Sequence, residues 1–223
     1  MGPQRRIATA LAVLVPALAS IALTSCQSAY FATMEKFGYA KREILVDRVE
    51  DAKEEQKDAK EQFVSTYERF KAVTGIQGGK LEETYEKLDD SYEDCRDQAD
   101  AVREKIQSVE DVADAMFSEW KTEIGQYSDP ALKRTSQESL DQTKRRYADL
   151  VGSMKRASAS MDPVLAAFKD RVLFLKHNLN AAAISSLQDE AVRIQTDVAG
   201  LVAEMQKSID EADRFISSLP KNE

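Results

Sequence analysis

Proline, glycine and histidine are scarce in this chain: 5 Pro, 8 Gly and a single His in 223 residues. Few turn-formers beside 31% charged residues exclude a loop-rich or all-β design and favour long helices with few connections. One His and one Trp leave little of the usual catalytic and metal-ligating vocabulary. A carboxylate-bridged di-iron bundle needs Glu-x-x-His on two helices, which one His cannot supply. Only two cysteines are present, Cys26 and Cys95. The formal charge of −8 disfavours nucleic acid as a partner.

Several other chemistries fail on spacing. The stretch TGIQGGKL, residues 74–81, approaches a phosphate-binding loop but has Thr74 where the first Gly belongs and Leu81 where Ser or Thr belongs. Its Gly75, Gly78 and Gly79 read as a helix stop and turn. A calcium loop of EF-hand spacing is absent. Acidic pairs are too common to single out a general acid and base. Cys95 and His177 would lie far apart in a bundle, so a Cys-His dyad is not expected. No catalytic residue, metal or cofactor is expected, and the chain reads as non-enzymatic.

The N-terminus carries a different message. Arg5 and Arg6 precede an apolar run from Ile7 to Ala22, interrupted by Pro16. The run is short of the roughly 20 apolar residues that span a bilayer, so it reads as an export signal over residues 1–25. Leu23-Thr24-Ser25-Cys26 then resembles a bacterial lipobox, in which cleavage precedes the Cys and the Cys carries the lipid. Several acyl chains, at about 0.8 kcal/mol per buried CH2, would anchor the protein firmly. The other reading is cleavage after Ala17-Leu18-Ala19, leaving a soluble protein. Gln27, where an inner-membrane lipoprotein often has Asp, favours the periplasmic face of the outer membrane by analogy. Loss of Arg5 and Arg6 with the signal takes the charge from −8 to −10. Residues 26–29 leave only a short tether, so the bundle is expected to stand close to its membrane. Lys221 is not the last residue, so attachment to peptidoglycan through a terminal Lys is not supported.

Beyond the tether, apolar residues recur at heptad-like spacing through one domain, residues 30–219, followed by a tail, 220–223. Leu81, Tyr85, Leu88, Tyr92, Cys95, Ala99, Val102, Ile106, Val109, Ala113, Met116 and Trp120 alternate steps of four and three without a slip. That is a helix with a narrow seam, on which Cys95 is a small core residue. A first stripe runs through Leu45, Val49, Ala52, Ala59, Phe63, Tyr67 and Phe70, with polar Gln56 on it. A third follows Asp129-Pro130, a capping residue before a Pro at the first helical position, and keeps its phase across Pro163. Pro163 therefore predicts a kink rather than an end. A fourth runs from Ile184 to Leu219, after a phase jump that places a break near 177–180 with Asn180 as a cap. Helices are predicted at about 30–74, 80–127, 130–177 and 181–219. Similar lengths and short connections predict an all-α, long antiparallel four-helix bundle. The alternative is coiled-coil-like helical hairpins that associate as a homo-oligomer.

Two surface features are candidate sites. Residues 80–127 carry six Lys or Arg against fifteen Asp or Glu, while 128–177 carry ten against six. Lys144, Arg145 and Arg146 on the third segment are either a patch for phosphate or lipid headgroups or partners for the acidic second helix, the simpler expectation. Val172-Leu173-Phe174-Leu175 contains more consecutive apolar residues than one stripe can bury. Leu173 or Phe174 then either caps the core or, with Lys176, His177, Asn178 and Asn180, forms a partner-docking tip at the end away from the membrane.

The stretches KREILVDRVEDAKEEQKDAKEQF, SVEDVADAMFSEW, TKRRYADLVGSMKRA and MDPVLAAFKDRVLFLKHNLNAAAISSL together resemble a bacterial lipoprotein family, domain-of-unknown-function family 2959, over about residues 30–217. The resemblance implies an exported, helical, coiled-coil-like lipoprotein. It brings no activity and no catalytic residues. The expected role is a lipid-anchored scaffold or interaction protein of the cell envelope with a protein partner, and the alternative is a lipid- or ligand-binding module.

Overall fold

The computed structural model describes residues 41–73, 81–178, 180, 184 and 186–219. The export signal, Cys26, residues 30–40, the glycine turn at 74–80 and the tail at 220–223 lie outside the described residues. Five helices are described: α1 (Lys41–Val73), α2 (Leu81–Gln126), α3 (Pro130–Ala159), α4 (Met161–His177) and α5 (Gln188–Ser218).

The apolar stripes become the interior. Leu45, Val49, Ala52, Ala59, Phe63, Tyr67 and Phe70 are all buried on α1, and Gln56 is buried with them. On α2 the seam from Leu88 to Met116 is buried, whereas Tyr85, Tyr92 and Trp120 are half-buried. Ser91, Val112, Phe117 and Ile124 join the buried set. The buried face is thus wider than the two-position seam of a coiled coil, because each rod of a four-rod bundle meets two neighbours.

Packing is cyclic and antiparallel. α1 lies against α2 and α5, and the α3–α4 rod lies against the same two helices. Direct contacts fix the directions. Lys41 pairs with Glu119 at 3.0 Å, whereas Thr66, further along α1, donates to the Ser91 carbonyl at 3.2 Å. Trp120 Nε1 donates to Ser136 Oγ at 2.9 Å, and further up Arg103 meets Asp162 at 2.6 Å. Arg171 pairs with Glu190 near one end of α5, and Arg146 donates to the Ser218 carbonyl at the other, 3.3 Å away. Lys53 reaches Asp213 at 3.0 Å, and Lys60 reaches Gln206 at 3.0 Å, closing the ring between α5 and α1. The fold is an all-α antiparallel four-rod bundle.

Two helix boundaries are refined. The predicted 130–177 helix is interrupted at Ser160, one residue before α4. Pro163 has no N–H to give the Ala159 carbonyl, and its ring crowds that carbonyl. The backbone nevertheless stays right-handed helical at Ser160 (φ −72°, ψ −11°), and its N–H still bonds the Arg156 carbonyl at 3.0 Å. α3 and α4 are one rod with a local break, as the unbroken stripe predicts. The predicted 181–219 helix is also interrupted. The Ile184 N–H bonds the Asn180 carbonyl at 3.1 Å, a first helical bond beyond the break, but α5 begins only after Leu187.

Candidate functional site

The tip is built by the last turn of α4. Val172 and Leu175 are buried on the core face. The residues between them cannot share that face, and Leu173 is 48% and Phe174 39% exposed. Lys176, His177 and Asn180 are exposed and Asn178 is half-buried. Asn178 Nδ2 donates to the Phe174 carbonyl at 2.9 Å, occupying one acceptor left open at the helix end. Arg171 bonds Glu190 across to α5, and that bond holds the Glu190 carboxyl below its ordinary pKa. The apolar pair at 173–174 therefore stands beside a fixed α4–α5 contact.

The basic patch lies about 40 Å away along the same rod. Lys144, Arg145 and Arg146 are all exposed on α3. The expected salt bridges to the acidic second helix do not form among the described residues. Lys144 Nζ sits 5.5 Å from the centre of the Phe117 ring, and Arg146 turns to the Ser218 carbonyl. These side chains leave the acidic flank because α2 presents the Phe117 ring, not a carboxylate, beneath Lys144. Elsewhere α2 and the third rod do pair, through Lys155–Glu110 at 2.5 Å and Arg103–Asp162 at 2.6 Å. The second pair runs with the cation on the acidic helix, so net segment charge did not dictate it.

Sequence reading missed a feature next to this patch. A surface groove of about 390 Å3 runs between α3 and α5, with Asp149, Ser153, Arg156, Lys207, Glu211 and Arg214 on its walls. Lys207 and Arg214 each bond an acid one turn back, Glu204 at 2.5 Å and Glu211 at 2.8 Å. The Arg156 guanidinium lies over Gly152, where an added Cβ would be 3.5 Å from it. The signal was the helical spacing of Asp149, Ser153 and Arg156 along one face of α3, which becomes a groove only when α5 supplies the second wall.

Beneath the patch, Phe117 and Tyr147 pack edge to face at 5.3 Å, and Tyr147 meets Phe215 at 6.4 Å. Burial, with Glu110, Asp114 and Asp111 nearby, pushes the Tyr147 phenol well above its ordinary pKa. Cys95 is fully buried and donates to Thr66 Oγ1 at 3.1 Å. Burial outweighs that hydrogen bond and pushes the thiol up to about 11, the opposite of an activated nucleophile. Among the described residues no group of three His, Cys, Asp or Glu is placed to hold a metal ion. No helix among them is long and apolar enough to cross a membrane.

The geometry defines an all-α helical-bundle protein with surface features and no assembled catalytic constellation among the described residues. A family model described as "Protein of unknown function (DUF2959)" matches residues 30–219, and the chain belongs to that family. No curated protein matches the chain.

Proposed function

We propose that the chain is a lipid-anchored, non-enzymatic helical scaffold of the bacterial cell envelope, held by Cys26 at the periplasmic face of the outer membrane. The observation that carries the reading is the separation of two ends. The chain enters the bundle at the Lys41 end, beside Glu119, while the exposed Leu173 and Phe174 stand at the opposite end. The lipobox Leu23-Thr24-Ser25-Cys26 supports an anchor at the first end, and the apolar pair supports a protein partner at the second. At 33 residues, α1 alone sets the two about 50 Å apart.

The anchor is tested by Cys26→Ser. Labelled fatty acid should no longer be incorporated, and the protein should move from the membrane pellet to the soluble fraction. Unchanged fractionation and labelling would sink the reading.

A second reading has its own support. Lys144, Arg145 and Arg146 are exposed with no acidic partner among the described residues, and a groove that Arg156, Lys207 and Arg214 line begins further along α3, at Ala148 and Asp149. A ligand with an anionic headgroup suits that surface. Salt-sensitive binding of the non-acylated chain to anionic vesicles, abolished by Arg145→Glu with Arg146→Glu, would favour it over the scaffold.

A further inference from the structure

The two connections of the bundle that carry exposed apolar side chains are not alike. Lys41 of α1 is level with Glu119 of α2, yet α2 runs on to Gln126, about 10 Å further. α3 returns from Pro130 and reaches the level of Trp120 at Ser136. α5 stops at Ser218, which is level with Arg146, about 15 Å short of Ser136 along the rod. Among the described residues, therefore, the α2–α3 hairpin extends past the other rods at the end where the chain enters.

Its turn is the stretch Tyr127-Ser128-Asp129-Pro130-Ala131-Leu132. Tyr127 is 44% and Leu132 57% exposed, and Pro130 and Ala131 are exposed between them. The one acid in the turn is engaged. Asp129 Oδ1 accepts from the backbone N–H groups of Ala131 at 2.7 Å and Leu132 at 3.2 Å. That cap fixes the turn and draws its carboxylate toward the backbone. Over residues 121–138 the cations Lys121, Lys133 and Arg134 balance Glu123, Asp129 and Glu138, so the hairpin segment is neutral in an acidic chain. An aromatic with a polar tip, a leucine and flanking cations with long apolar stems make up the composition that settles at a membrane interface.

We propose that the α2–α3 turn is a membrane-contact element. Tyr127 and Leu132 enter the headgroup–acyl boundary of the bilayer to which Cys26 ties the chain, and they hold the opposite end of the bundle away from it. The inference rests on the lipid-anchor reading. Fifteen residues link Cys26 to Lys41, a reach of at most about 50 Å, so only a tether fully extended back along α1 would bring the membrane to the far end.

The test uses the full chain, expressed in its host, extracted from membranes and reconstituted in phosphatidylcholine vesicles brominated on the acyl chains. Trp120 is the only native Trp, so Trp120→Phe with Tyr127→Trp places a single probe in the turn. Trp120→Phe with Leu173→Trp is the far-end control. The probe at 127 should lose about half its emission and shift to the blue, as expected for a side chain 5–10 Å into the boundary, and the probe at 173 should keep its emission. Intact mass reports the lipid separately. A lipidated protein whose probe at 127 is unquenched, or whose probes at 127 and 173 are quenched alike, overturns the inference and leaves the anchor standing. A chain without lipid overturns the anchor reading and the inference with it. The native Trp120 gives a check free of new tryptophans: Tyr127→Asp with Leu132→Asp should relieve its quenching without loss of helical content. Quenching of Trp120 that survives this pair also counts against the inference.

Discussion

The rings of Phe63 and Phe168 face each other across the diagonal of the bundle, with centroids 6.4 Å apart and planes 27° from parallel. Both are fully buried. The pair joins α1 to α4, so it couples the first rod to the segment beyond the Ser160 break. Phe63→Ala or Phe168→Ala should each cost about 3–5 kcal/mol. The double variant should cost less than the two added together, since the second truncation meets a contact already lost. Urea unfolding followed by circular dichroism measures all three. Simple additivity would show that the rings stabilise the bundle independently.

Gln56 is the polar interruption in the α1 stripe, and it is fully buried. Its Nε2 donates to the Ala52 carbonyl at 3.2 Å, but its Oε1 has no hydrogen-bond partner, and neither does the buried Ser208 Oγ. A buried acceptor without a donor costs about 1–3 kcal/mol. Gln56→Met keeps the volume and removes the cost, so it should raise stability by about 1–2 kcal/mol. A lower denaturation midpoint for Gln56→Met would show that the oxygen is paired in solution.

Cys95 makes stability fall with alkaline pH. Its thiol ordinarily titrates near 9.0, and burial pushes it up to about 11 in the folded chain. Between those values the unfolded chain releases the proton and the folded chain keeps it, so fewer protons are bound in the unfolded state and stability declines as pH rises. Below pH 9 the group contributes no slope. The loss should reach roughly 2 kcal/mol by pH 11. The Tyr147 phenol, raised chiefly by burial, adds a loss of the same sign at higher pH. Denaturation at pH 8 and 10.5 should differ less for Cys95→Ala than for the native chain. Rapid modification of native Cys95 by a thiol reagent at pH 8 would contradict its burial.

Leu173→Asp and Phe174→Asp should leave helical content and melting temperature within experimental error, because both side chains are substantially exposed. Photocrosslinking from position 177, exposed at the same tip, should yield an envelope-protein adduct in intact cells that either substitution abolishes. Unfolding of the two variants would instead assign the pair to the core.

Much of the bundle is legible in the sequence because helical periodicity is a local property. Leu88, Cys95, Ala99 and Val102 lie on one face wherever the helix is placed, and they are buried. The unbroken phase across Pro163 likewise foretold one rod through the Ser160 break. Charge pairing was less legible. Residue counts on α2 and α3 predict partners for Lys144, Arg145 and Arg146, but the facing group at Lys144 is the Phe117 ring. A segment's net charge says nothing of which side chain stands opposite which.

By itself, the sequence determined that the chain is all-α, which residues form each stripe, that Asp129 caps a helix and that the stripe keeps its phase past Pro163, but not the interruption at Ser160. The tertiary structure alone decided the cyclic order of the rods, the groove between α3 and α5, and the exposure of Leu173, Phe174, Tyr127 and Leu132. The reason is physical. A stripe is set by the rotation between successive residues of one helix, whereas exposure depends on where the neighbouring helix stops. α5 ends at Ser218, level with Arg146, and no periodicity within α2 or α3 encodes that level.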